Sequence, residues 1–195
     1  EKAKQANMPK DNVQRAIQKA TDTKQGYTSM VIEGYAAGGI AVVAECVTDN
    51  TNRTGSEVRS IFERNGGKIG TPGCVTYMFE RKGVYHVEKG AVGEEQLMEV
   101  ALESEAEDVV DQGEFFEVTT QSGSFVQVGE ALERAGIPTT QGEVQLVANN
   151  VVEVDEQTAR KVLALSDALE EHEDVSNVYT NADVSEEVAA ALGAE

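Results

Sequence analysis

Between Gly83 and Asn150 the apolar spacing switches repeatedly between the two-residue period of a strand and the 3.6-residue period of a helix, and the order of the switches leaves few folds open. GVYHVE alternates as a strand, and EEQLMEVALES carries Leu97, Val100 and Ala101 at helical spacing. EDVVD and EFFEVTT read as strands around Gln112-Gly113. SFVQVGEALERAG reads as a helix closed by Gly136, and EVQLVAN as a strand. This β-α-β-β-α-β order is the split-βαβ, ferredoxin-like arrangement, complete over residues 83–150.

The flanking segments do not close on their own. YTSMVIEGY and GIAVVAECVT are Val- and Ile-rich strands joined across Ala36 to Gly39, which predicts a hairpin. Thr54 and Glu57 form a T-x-x-E capping box, predicting a helix that starts there, buries Val58, Ile61 and Phe62, and stops at Gly66-Gly67. CVTYMF predicts a strand and Arg81-Lys82-Gly83 a turn. This β-β-α-β set lacks a helix and a strand. Beyond residue 150, DEQTARKVLALSDALEEHED carries Val162, Leu165 and Leu169 at helical spacing, and VSNVYTN follows as a strand. One helix and one strand cannot bury a core alone, so the tail is expected to return to the first set.

Upstream, NMPKDNVQRAIQKAT predicts a helix, with Pro9 in its first turn and Val13, Ala16, Ile17 and Ala20 on one face. Lys10, Arg15 and Lys19 lie off that face, where a solvated helix surface is the plain alternative to a phosphate contact. The expected fold class is α+β. Residues 1–25 end a helical domain, residues 26–82 plus 151–195 form a discontinuous middle α/β domain, and residues 83–150 form an inserted ferredoxin-like domain, both sheets being antiparallel.

Charge narrows the function. The formal net charge is −19, but residues 1–90 carry 13 Lys and Arg against 10 Asp and Glu, whereas residues 91–195 carry 3 against 25. An acidic half is repelled by polyanions. The first half is not, and its arginines suit phosphates. The alternative is an acidic half that confers solubility and basic residues that are ordinary surface. The apolar runs are too short for a membrane-spanning helix. Cys46 and Cys74 sit singly in apolar stretches, as expected of thiols in a reducing compartment, and a cytoplasmic location is expected. The chain opens on Glu1 within a helical pattern, so a longer parent protein is expected.

No catalytic group emerges. A Walker-type phosphate loop needs Gly-Lys followed by Ser or Thr, and Lys68 is followed by Ile69. Cys46, Cys74, His86 and His172 lack C-x-x-C or H-x-x-x-H spacing. EEHED at 170–174 is acidic, but offers none of the glycine turn of a calcium loop. Asp49 and Glu57 have no partner in sequence placed for acid/base work. The expectation is no enzyme, no metal, no cofactor and no small-molecule substrate.

What stands out is TDNTNRTGSEVRSIFERNGGKIGTPG, residues 48–73, with Arg53, Arg59 and Arg64 around one short helix. Together with EGYAAGGIAVVAECV before it and CVTYMFERKGV after it, this stretch resembles the signature region of the YebC/PmpR family, to which the mitochondrial translational activator of cytochrome oxidase is also assigned. NMPKDNVQRAI, AEDVV and HEDVSNVYTN extend the resemblance over the whole chain. Three departures stand out. Ala36-Ala37 precede Gly38-Gly39 where the family has Gly-Pro-Gly-Gly, Ser60 stands for a His, and Lys68 stands for an Asn.

The resemblance implies three domains, the middle one interrupted. It also implies non-enzymatic control of gene expression, as a DNA-binding transcriptional regulator or as a factor associated with RNA or the ribosome. By position the family's basic motif falls on Arg53, Arg59, Arg64, Lys68, Arg81 and Lys82, with Asn52 beside it and Lys10, Arg15 and Lys19 extending it. Tyr35 and Tyr77 are candidates to stack on bases. A protein-interaction module with no nucleic-acid contact is the remaining alternative, and no membrane partner is expected.

Overall fold

The structure, a computed structural model, describes residues 26–192. The helix expected over residues 7–21, with Lys10, Arg15 and Lys19, lies outside the described residues. Strand β1 (Thr28–Tyr35) and strand β2 (Ala41–Thr48) form the expected antiparallel hairpin, running from Thr28 opposite Thr48 to Tyr35 opposite Ala41. Helix α1 (Thr51–Arg64) follows, and the short β3 (Lys68–Ile69) pairs antiparallel with the far edge of β1. Gly66, at φ 72, lets the chain leave α1.

The second sheet begins with β4 (Phe79–Glu88) and continues through α2 (Glu94–Glu103), β5 (Ala106–Asp111), β6 (Phe115–Gln121), α3 (Phe125–Arg134) and β7 (Gln141–Ala148). Its strand order is β5-β6-β4-β7, and every ladder is antiparallel. The tail then returns. After β8 (Val152–Glu153), helix α4 (Glu156–Glu170) leads to β9 (Val175–Thr180), which pairs antiparallel with β2 and completes the first sheet in the order β3-β1-β2-β9. β10 (Ala182–Asp183) pairs parallel with β8, and α5 (Glu186–Leu192) ends the described chain. No helix among the described residues is long and apolar enough to cross a membrane.

Two local expectations are corrected. The helix does not start at Thr54. Asn50 is the cap, its side chain accepting the Arg53 N–H at 3.1 Å, and Thr54 lies a turn inside, fully buried. Nor is CVTYMF a strand. Val75 leads into one turn of 3-10 helix at Thr76–Met78, and β4 runs unbroken through the Arg81-Lys82-Gly83 segment expected to turn. The glycine there marks a close approach instead. A Cβ on Gly83 would stand 2.6 Å from Cδ2 of Phe125, so α3 seats on the strand only because the side chain is missing.

Alternation along the strands distributes the core. Ile32, Val42, Ala44 and Cys46 face Val58 and Phe62 of α1 and Val162, Leu165 and Leu169 of α4. Burying one such side chain contributes about 1.5–3 kcal/mol, so the tail helix is held mainly by packing. The opposite face of the sheet carries Ala41 and Val43, covered by Val75 and Phe79 with Leu146 and Tyr179, which joins the two sheets. Tyr85, Val87, Phe116 and Val118 pack under α2 and α3 against Leu97, Val128 and Leu132.

A polar clasp locks the return. Asp174, in the α4–β9 connection and buried, accepts the hydroxyl of Thr54 at 2.6 Å, that of Thr48 at 3.1 Å and Nη2 of Arg53 at 2.8 Å. Its backbone carbonyl accepts the Val47 N–H at 2.8 Å. The Thr54 hydroxyl and then the Arg53 guanidinium hold the Asp174 carboxyl below its ordinary range. Asp174→Ala removes the one acceptor that two buried hydroxyls and a guanidinium edge share. It is expected to lower stability by about 2–3 kcal/mol in urea unfolding, and a loss below about 0.5 kcal/mol would refute the clasp.

Candidate nucleic-acid interface

The segment after α1 is shaped by one carboxylate. Glu33 sits on β1 opposite Val43, on the face that joins the two sheets, and is buried. Its Oε1 accepts the Gly73 N–H at 2.6 Å, and its Oε2 accepts those of Val75 at 2.9 Å and Thr76 at 2.8 Å. Gly70 donates its N–H to the Glu33 carbonyl at 2.8 Å. Burial alone would raise the pKa, but the Gly73, Val75 and Thr76 amides more than offset it and hold Glu33 at about 2. Residues 70–76 are therefore a fixed wall.

That wall presents Tyr77. It lies between buried Val75 and buried Phe79 and is itself 71% exposed. Tyr35 is different. It is half-buried, and its phenol donates to the Cys74 carbonyl at 3.1 Å.

The expected basic residues divide into two groups. Arg53 is committed to Asp174 at 2.8 Å and also reaches Asp49 at 3.1 Å. Arg81 pairs with Glu45 at 2.5 Å, and Lys82 with Glu107 at 2.9 Å. Arg59, Arg64 and Lys68 are exposed and have no ion pair among the described residues. Arg64 stands in the last turn of α1, where its charge also suits the helix dipole. Asn52 is exposed in the first turn. Arg59 borders a groove of about 240 Å³ between α1, β1 and the wall, lined also by Val31, Ile69, Pro72 and Gly55.

The histidines have partners that spacing did not reveal. His86 tilts over the Phe115 ring at 4.4 Å, with Glu117 at 3.4 Å. His172 Nδ1 accepts the Asp174 N–H at 3.1 Å, so Nε2 donates to Glu57 at 2.9 Å. Glu57, His172 and Asp174 place one ligand atom each within 4.8 Å of one another. Arg53 already brings positive charge to that group, and its contacts are those of an ion-pair cluster. Cys46 and Cys74 are free thiols, and burial pushes Cys46 up to about 11.

Sequence reasoning missed Glu33 and Asp174. Glu33 had a readable signal, a charged residue at an inward position of a strand otherwise rich in Val and Ile. Asp174 had none beyond lying in an acidic run.

Residues 27–182 match a family model described as the TACO1/YebC second and third domain. A Rubrobacter xylanophilus protein named "Probable transcriptional regulatory protein" is 51% identical over 193 residues, covering 97% of this chain and 77% of its own length. A protein of the same name from Treponema pallidum is 49% identical over 189 residues, with coverage of 96% and 77%. The crystal structure of a conserved hypothetical protein from Aquifex aeolicus superposes with a TM-score of 0.85 at 43% identity, over 94% of this chain and 77% of that one.

The Glu33 contacts have a pH signature. A carboxyl held low in the folded state stabilises it above the ordinary value of 4.5, and that contribution is lost as pH falls toward about 2. Glu33→Gln is expected to lower stability at pH 7 by on the order of 3 kcal/mol and to flatten the acid decline between pH 4.5 and 2 relative to the parent chain. Parallel urea-unfolding curves for the two proteins across that range would sink the assignment.

Proposed function

The chain belongs to the TACO1/YebC family, and on that footing we propose that it regulates gene expression by binding nucleic acid, without catalysis of its own. The observation that carries this is the division of the basic residues. Arg53, Arg81 and Lys82 are paired with carboxylates, whereas Arg59 and Arg64 of α1 and Lys68 of β3 stand exposed and have no ion pair among the described residues. In a chain of net charge −19, unneutralised arginines beside a rigid wall suit phosphate oxygens, which the planar guanidinium meets with two hydrogen bonds. The names of the relatives make transcriptional control the first form of this reading, and DNA is the ligand proposed for it. A cytoplasmic location belongs with it.

A second form, contact with RNA or the ribosome, is favoured by Tyr77. An exposed ring held outward between two anchored residues is a stacking surface for an unpaired base. In either form, Lys10, Arg15 and Lys19 would extend the contact.

The test is the triple reversal Arg59→Glu, Arg64→Glu and Lys68→Glu, with binding to duplex DNA and to RNA measured across a salt series. If each residue neutralises one phosphate, the slope of log affinity against log salt is expected to become shallower by about 2–3 for DNA. Unchanged binding and slope would return the chain to the protein-interaction reading.

A further inference from the structure

Gly55 is a residue the fold does not explain. It lies inside α1, where glycine is the least favourable residue short of proline. Its conformation is helical, and a Cβ placed on it would meet nothing within 4 Å. Neither backbone geometry nor packing excludes alanine. What Gly55 does border is the groove of about 240 Å³, one helical turn before Arg59.

The groove has a definite chemistry. Val31, Ile69 and Pro72 give it apolar walls, and Arg59 stands in its lining with no ion pair among the described residues. Glu33 also contributes to the lining, its carboxylate already holding three backbone amides. Its volume is below the roughly 300–1,000 Å³ of sites for drug-sized ligands, which suits a single ring. A duplex cannot use such a place, because its bases are paired and stacked and show only their edges in the grooves, never a free ring face. An unpaired nucleotide offers a flat apolar ring and a charged phosphate together.

We infer that the groove between Gly55, Arg59, Val31, Ile69 and Pro72 seats one unpaired nucleotide of a single strand, the base against the apolar walls and its phosphate on Arg59. Gly55 leaves the helix surface bare where the strand passes, and any side chain there would obstruct it. This rests on the nucleic-acid reading above and goes beyond it by naming a single strand as the ligand.

The probe is a short unstructured oligouridine RNA, its oligothymidine DNA counterpart, and an RNA duplex of equal length, each followed by fluorescence anisotropy with the full chain. Gly55→Leu is expected to weaken single-strand binding about tenfold, the size of one lost stacking contact, and to leave duplex binding unchanged. Gly55→Ala is expected to weaken single-strand binding while raising Tm by about 2–4 °C, a combination that a purely structural glycine would not give. Equal weakening on RNA and DNA makes the base and phosphate the recognised parts, and a larger effect on RNA adds the 2′-hydroxyl. Wild-type affinity in Gly55→Leu, with binding weakened and its salt slope made shallower by the triple reversal, would overturn the groove and leave the basic surface standing. Failure of both sets of variants to alter binding would overturn both. Equal loss on duplex and single strand would overturn the single-strand assignment.

Discussion

The Asp174 carboxylate is the point on which the arrangement turns. Residues of β2, α1 and the α4–β9 connection meet on it, and the last of these is more than a hundred residues away in sequence from the other two. Apolar packing of Leu165 and Leu169 brings the tail helix to the sheet, but packing alone tolerates sliding. Buried hydroxyls and a guanidinium that need one acceptor do not. By fixing where β9 begins, the contact fixes its register on β2 and closes the first sheet. It also determines what Arg53 does, since a guanidinium 2.8 Å from a buried carboxylate has a structural partner before any ligand arrives.

The same logic sorts the remaining charge. On the second sheet and its connections, Lys82 answers Glu107, Lys89 answers Asp111 and His86 lies beside Glu117. The excess of carboxylates stays with that half, which a polyanion would avoid. Elsewhere, Glu33 is satisfied by backbone amides, and Arg59, Arg64 and Lys68 have no ion pair among the described residues. The charged residues of α1 that face solvent include Arg59 and Arg64, while Glu33 is held beneath the wall by its own donors. The wall and Arg59 share the apolar groove, and Tyr77 follows the wall in sequence; the proposed binding modes draw on all of these.

Much of the architecture was legible because period and polarity are local. The hairpin, the β-α-β-β-α-β element order and the return of the tail followed from strands and helices that could not bury their apolar faces otherwise. The misses came where a local signal had a competing use. The T-x-x-E pattern at Thr54 has the form of a cap, yet Asn50 stands one turn earlier, and the Thr54 hydroxyl serves Asp174. Gly83 has the form of a turn, yet it accommodates Phe125 against a continuous strand. The arginines around α1 looked equivalent in sequence, yet Arg53 is paired, as are Arg81 and Lys82 of the expected patch.

The sequence by itself determined which segments are strands and helices, that the tail must rejoin the first set, and that positive charge concentrates in the first half. Those properties depend on neighbours a few residues apart and on composition. Only the tertiary structure decided which cations find carboxylate partners among the described residues, that Glu33 rigidifies the wall carrying Tyr77, and that Gly55 borders a groove. Each depends on a partner many residues away, and the Coulomb and hydrogen-bond terms that choose between partners act only over the few ångströms that folding creates.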